Sequence, residues 1–152
     1  MGSSSDIRMV DVGGKPITSR QAVARGKVLM QSKTLSLLKK GKLPKGDVLA
    51  AARVAGIMAA KETHRLIPLC HPLLIEDINI EFSLDEQACG VEVTAMVKGS
   101  GKTGFEMEAL TAVAVCGLTI YDMCKAVDQT LHLDNIRLVK KSGGKSGTVV
   151  VE

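Results

Sequence analysis

Apolar and small side chains at Ala22, Ala24, Val28 and Met30 alternate with Gln21, Arg25 and Lys27, and this period of two predicts a half-buried strand over 21–30. Thr34 to Lys40 predicts a short helix closed by Gly41. Asp47 then stands as an N-cap before Val48 to Glu62, an Ala-rich run of strong helix formers that must stop before Pro68. Ile78, Ile80, Phe82 and Leu84 alternate with Asn79, Glu81, Ser83 and Asp85, and Val91, Val93, Ala95 and Val97 repeat the pattern after a polar turn. These two runs predict a hairpin. Thr103 and Glu106 have the spacing of a capping box, the apolar segment beyond them predicts a helix to about Val127, and residues 131–140 supply a last strand. The order of strand, helices, strand, strand, helix, strand is an α+β plan, a ferredoxin-like antiparallel sheet with helices packed on one face.

Composition narrows this plan to one domain over 1–152. A chain of 152 residues with 45% hydrophobic content builds one core and is short for two. Phe82, Phe105 and Tyr121 are the whole aromatic set, so Val, Ile, Leu, Ala and Met must fill that core. Residues 1–11 are small and polar and are expected to form a flexible N-terminal arm. The 20 basic and 16 acidic side chains leave a charge of +4 without concentrated Lys/Arg runs, which suits a compact anionic ligand better than nucleic acid. An RNA-recognition surface would also need aromatic residues on the central strands, where only Phe82 is offered. Cys70, Cys89, Cys116 and Cys124, with His64, His71 and His132, lack the spacing of a zinc site, so no metal is expected. Nothing resembles a signal peptide, and charges are expected to interrupt the apolar stretches below membrane-spanning length, which implies a cytoplasmic setting.

Two glycine–lysine segments imitate phosphate-binding loops, Gly99–Gly104 and Gly143–Gly147. Both miss the full P-loop, because Met96 and Val139 occupy the positions of its first glycine. Each is either an ordinary turn or a cradle that offers backbone N–H groups and a lysine to a phosphate. His71 lies between Pro68 and Pro72, which fix the local backbone. It is either a satisfied core histidine or a group placed for proton transfer. Cys70 reads as a small buried hydrophobe. Asp122 and Lys125 are three residues apart and share a helix face, as a surface ion pair or as an acid–base pair over a cleft. Glu106 is accounted for as the capping partner of Thr103, whereas Glu108 has no such explanation and remains a candidate.

Taken together, Met9-Val-Asp-Val12, Lys45-Gly-Asp47, Leu66-Ile-Pro-Leu-Cys-His-Pro72, Thr103-Gly-Phe-Glu-Met-Glu-Ala-Leu110, Leu118-Thr-Ile-Tyr-Asp-Met-Cys-Lys-Ala-Val127 and Lys141-Ser-Gly-Gly-Lys-Ser-Gly147 resemble the MoaC family of cyclic pyranopterin monophosphate synthases, in family order over nearly the whole chain. The resemblance implies a ferredoxin-like subunit in a homohexamer, a trimer of dimers with the active site at the dimer interface. It also implies no metal or organic cofactor, and a purine triphosphate-derived substrate. By position in the motifs it implies Asp122 as the catalytic acid/base with Lys45, Lys125 and Lys141 around it, and His71 as a further catalytic and binding group. Leu69, Cys70, Met107 and Glu108 match substrate-contacting segments. Phe105 stands where the family usually has a smaller aliphatic residue and is expected to narrow the pocket. The competing class is a non-catalytic nucleotide-binding regulatory module of the same fold, from which turnover would separate an enzyme.

Overall fold

A computed structural model describes residues 6–145 and 147–152. Nine elements follow one another: β1 (Thr18–Leu29), α1 (Ser32–Lys39), α2 (Val48–Lys61), α3 (Thr63–Leu66), β2 (Leu74–Asp85), β3 (Gly90–Gly101), α4 (Glu106–Cys124), β4 (His132–Gly143) and β5 (Val149–Val150). The five strands form one antiparallel sheet in the order β2-β3-β1-β4-β5. Its first four strands have the ferredoxin-like order expected from the pattern, and β5 is a short addition at the β4 edge that alternation in two residues could not announce. Both hairpin strands run to twelve residues, longer than their apolar alternation indicates, because backbone pairing continues through Leu74↔Ser100 and Asp85↔Gly90 into segments whose side chains carry no period-two signal.

The core is built from small residues. Ala22, Ala24 and Val28 of β1 and Val91, Val93, Ala95 and Val97 of β3 are at most 1% exposed. They face α4 and α2, whose own buried residues include Ala52, Ala109, Ala112 and Cys116. Gly56 sets how close these helices come, since a Cβ there would lie 2.4 Å from Cys116 Sγ and 2.7 Å from the Ile80 side chain. Asp47 caps α2 as the sequence predicts, accepting from Ala50 N at 3.1 Å.

Three expectations need correction. The capping box at Thr103 does not form: α4 begins at Glu106, its N-cap is Phe105, and no side chain caps it. Phe105 does not narrow a pocket, because its side chain is fully buried in the core and its ring fills the space a Cβ on Gly99 would take, at 2.7 Å. Finally, α4 is long and apolar enough to cross a membrane by length and composition alone. Glu106, Glu108 and Asp122 are its only charged residues, and here the helix packs against α2 and the sheet.

The far end of α4 is tied down by Asp128, which is 3% exposed. One carboxylate oxygen accepts from Gln31 N at 2.9 Å and Thr34 Oγ1 at 2.8 Å; the other accepts from Thr130 N and Thr130 Oγ1, both at 2.7 Å. Burial alone would push this carboxyl up, but the four donors outweigh it and hold the group down at about 2. Asp128→Ala strands buried donors and should lower unfolding free energy by about 3 kcal/mol, read from urea midpoints at neutral pH. Because the folded-state value is depressed, this stabilisation is complete above the ordinary carboxylate range and is lost as pH falls through about 2. The difference between wild type and Asp128→Asn should therefore shrink with acidification over that window.

Candidate functional site

The sequence candidates gather at opposite ends of α4. At its C-terminal end Asp122 Oδ2 receives Lys45 Nζ at 2.9 Å and Asp122 Oδ1 receives Lys125 Nζ at 3.0 Å. Lys125 arrives by helix spacing, three residues on and at the C-cap. Lys45 arrives from the loop between α1 and α2, where Gly46 takes φ +104° before Asp47 caps the next helix. The Lys45 hydrogen bond and then that of Lys125 hold the Asp122 carboxyl below the usual range. The carboxylate is half exposed in the single chain, so this triad offers an ionised base flanked by two ammonium groups to anything that docks on it.

At the N-terminal end, Leu69, Cys70 and His71 from the segment after α3 meet Met107 and Glu106 of α4 around a cavity of about 390 Å³. Val10 and Val12 close another side, so the supposed arm is partly a cavity wall; residues 1–5 lie outside the described residues. Lys141 of β4 reaches Glu106 at 3.8 Å. It therefore stands with this cluster and not beside the Asp122 of its own chain, as the resemblance had grouped it. Glu108 is 3% exposed and, among the described residues, its Oε1 has no hydrogen-bond partner, while Oε2 lies 3.8 Å from Cys70 Sγ. Burial raises the Glu108 carboxyl above its ordinary value, opposed by its own backbone N–H and by Cys70 and assisted by the charge of Glu106. The buried thiols Cys116 and Cys124 are pushed up to about 12 and about 11 by desolvation, which makes them packing residues and not nucleophiles.

A second cavity, of about 540 Å³, is lined by Gly14, Lys15, Pro16, Thr18, Arg20, Gly144 and Lys145. It shares Lys15 with the first. Arg20 is held by its Nε donating to Gly101 O at 3.2 Å, and Gly144, at φ +69°, leaves room for the guanidinium that a Cβ would meet at 2.6 Å. Such a glycine-walled cationic pocket suits phosphate groups. Sequence reasoning missed Lys15 and Arg20. The signal was a third glycine–lysine run, Gly13-Gly14-Lys15, which no P-loop template flags. Of the two loops that were flagged, 143–147 does reach this pocket, although Ser146 lies outside the described residues. The 99–104 loop spends its Lys102 on Gly13 O at 3.2 Å. Among the described residues no group of three or more His, Cys, Asp or Glu side chains is placed to hold a metal.

Removing Lys45 should raise the Asp122 pKa towards the ordinary carboxylate value, and removing Lys125 should do the same to a smaller degree. Carbon-detected NMR titration of the Asp122 carboxyl in Lys45→Ala and Lys125→Ala tests both the direction and the order.

With the geometry established, comparison with known proteins is direct. The MoaC family pattern matches residues 9–144. A cyclic pyranopterin monophosphate synthase of Chloroflexus aurantiacus is 58% identical over 147 residues, covering 97% of this chain and 90% of that protein. One from Pelotomaculum thermopropionicum is 59% identical over 140 residues, covering 92% and 82%. A third, from Natranaerobius thermophilus, is 53% identical over 142 residues, covering 93% and 89%. A match of this extent, on a chain whose motifs fall at both ends of one helix and around a glycine–lysine pocket, fixes the assignment: the chain belongs to the MoaC family and is an enzyme, a lyase.

Proposed function

We propose that the protein acts in molybdenum-cofactor biosynthesis in the cytoplasm, converting (8S)-3',8-cyclo-7,8-dihydroguanosine 5'-triphosphate to cyclic pyranopterin monophosphate with release of pyrophosphate. The observation that carries this reading is the pairing of a cation-clamped carboxylate at one end of α4 with a phosphate-suited basic cavity at the other. Ring opening and reclosure need a base that is ionised at neutral pH, and Asp122 between two lysines is one. Lys15, Arg20 and Lys145 would hold the triphosphate and stabilise the departing pyrophosphate. Leu69, Cys70, His71 and Met107 line the adjoining cavity for the ring system.

These halves are too far apart to serve one substrate within a chain. Glu108 and Asp122 are fourteen positions apart on one uninterrupted helix, roughly 21 Å at 1.5 Å per residue. A two-fold dimer resolves the mismatch. The outward face of α4 carries half-buried Leu110 and Ala114 and exposed Leu118 and Tyr121, and Val54 and Met58 of α2 are exposed at 58% and 61%. Antiparallel docking of two such faces about an axis near Val115, midway between Glu108 and Asp122, brings the His71 cavity of each chain to the partner's Asp122. The homohexamer is then a trimer of these dimers. A non-catalytic nucleotide sensor would use the same cations for binding alone, and turnover separates it from the enzyme.

Asp122→Asn should cut kcat by about 100-fold or more while leaving substrate affinity within a few-fold, because the amide keeps the shape and loses the proton transfer. Near-normal turnover in this variant would reduce Asp122 to an ion-pairing role. Mixing Asp122→Asn with His71→Ala subunits tests the shared site. Random pairing makes half the dimers mixed, each with one intact site of two, so about a quarter of wild-type activity should return. If exchange is demonstrated by mass spectrometry and no activity returns, each chain builds its own site.

A further inference from the structure

The glycine–lysine loop at 99–104 imitates a phosphate cradle, yet its lysine lines neither cavity. Lys102 Nζ instead donates to Gly13 O at 3.2 Å, a contact across 89 positions. The residue before it has two attachments of its own. Gly101 is the β3 partner of Thr18 in the sheet, and its carbonyl oxygen accepts from Arg20 Nε at 3.2 Å. The chain from Gly13 to Thr18 is therefore a bow whose two feet stand on successive residues, Lys102 and Gly101. Lys15 rides on that bow and lines both cavities. Packing does little to hold the bow, because Gly13, Gly14, Lys15, Pro16 and Ile17 are all exposed. Gly13 N donates to Asp11 Oδ1 at 2.8 Å and Lys15 N donates to Val12 O at 3.0 Å, but both bonds are local: they close the turn without setting where it stands. Two successive glycines, the second with open space where a Cβ would be, leave the backbone free to hinge. The Thr18 foot is fixed by the sheet ladder, and the Gly13 foot depends on the Lys102 ammonium.

We propose that Lys102 is a positioning residue for the basic cavity: its ammonium holds the Gly13 carbonyl and so sets where Lys15 stands in the cavity wall, without itself touching the bound polyphosphate. Gly101 does the same for the Arg20 guanidinium, so one loop between β3 and α4 registers both cations that the start of the chain brings to the cavity. A cation fixed in this way binds an anion more tightly, because its freedom is lost on folding and not on binding. The proposal deepens the preceding reading of this cavity as a phosphate site and rests on it.

A double-mutant cycle with inorganic tripolyphosphate as the probe tests the coupling, with Kd measured by calorimetry for wild type, Lys102→Ala, Lys15→Ala and the double variant. Loss of preorganisation at one long side chain should weaken binding by about fivefold in Lys102→Ala. Lys15→Ala should weaken it at least as much. Adding Lys102→Ala to Lys15→Ala should then change Kd by less than about twofold, because Lys102 has no cation left to position. Lys102→Arg keeps a charged donor for the Gly13 carbonyl and should bind within about twofold of wild type. A general loss of stability would weaken both backgrounds alike, so the missing effect in the double variant is the mark of positioning. Additive losses make Lys102 a direct phosphate ligand and overturn the proposal, as does wild-type affinity in Lys102→Ala. Backbone nitrogen order parameters give a readout that needs no ligand. Those of Gly13, Gly14 and Lys15 should fall below about 0.6 in Lys102→Ala and recover in Lys102→Arg. Wild type that fails to bind tripolyphosphate overturns the phosphate reading of the cavity and this proposal with it; normal binding by wild type with order parameters unmoved in Lys102→Ala overturns this proposal alone.

Discussion

The rigid length of α4 constrains everything else in this protein. A helix stores no slack along its axis, and α4 runs from Glu106 to Cys124 without interruption, so the groups at its two ends are held apart however the loops around them move. Chemistry that needs both ends must then come from two helices lying antiparallel. Under the proposed function this turns a local fact about hydrogen-bonded backbone into a requirement on assembly, one consistent with Asp122 standing half exposed in the single chain.

The position of α4 is in turn fixed by residues too small to look important. Gly56 lets Cys116 Sγ approach α2 closely enough to meet Ala52 O at 3.2 Å. At the other end Gly99 accepts the Phe105 ring immediately before the helix begins. Phe105 therefore acts on the site indirectly, by wedging the start of α4 against β3. Its ring is buried in the core and does not line the cavity beside Met107.

Alternation of apolar and polar residues made β1 to β4 legible, and the Asp47 cap and Ala-rich run made α2 legible, because in each the local preference and the tertiary role agree. The capping box at Thr103 misled for the opposite reason. Tertiary packing of Phe105 sets where α4 starts, and Glu106 is drawn to Lys141 of a strand thirty-five positions away. The Asp122–Lys125 pair could be read from helix spacing, but Lys45 joins it across 77 positions, a distance no periodicity spans. Lys15 and Arg20 were invisible because a basic cavity assembled from two separate glycine-bearing segments and the start of β1 has no linear template. The contact between Glu108 and Cys70 was equally hidden, because only the fold places the two side by side.

Two lysines share Asp122, yet they differ in what holds each beside it. Lys125 is part of the last turn of α4, its backbone N–H donating to Tyr121 O at 2.9 Å. Lys45 rides a loop bounded by Gly41 and Gly46, both at positive φ and both with open space where a side chain would be. Leu43 of that loop is buried in the core and Gly46 N donates to Leu43 O at 3.1 Å, so Lys45 is placed by how the loop closes, whereas Lys125 is placed by helix geometry alone. A change confined to the α1–α2 loop would therefore remove one of the two cations on Asp122 and leave the other in place.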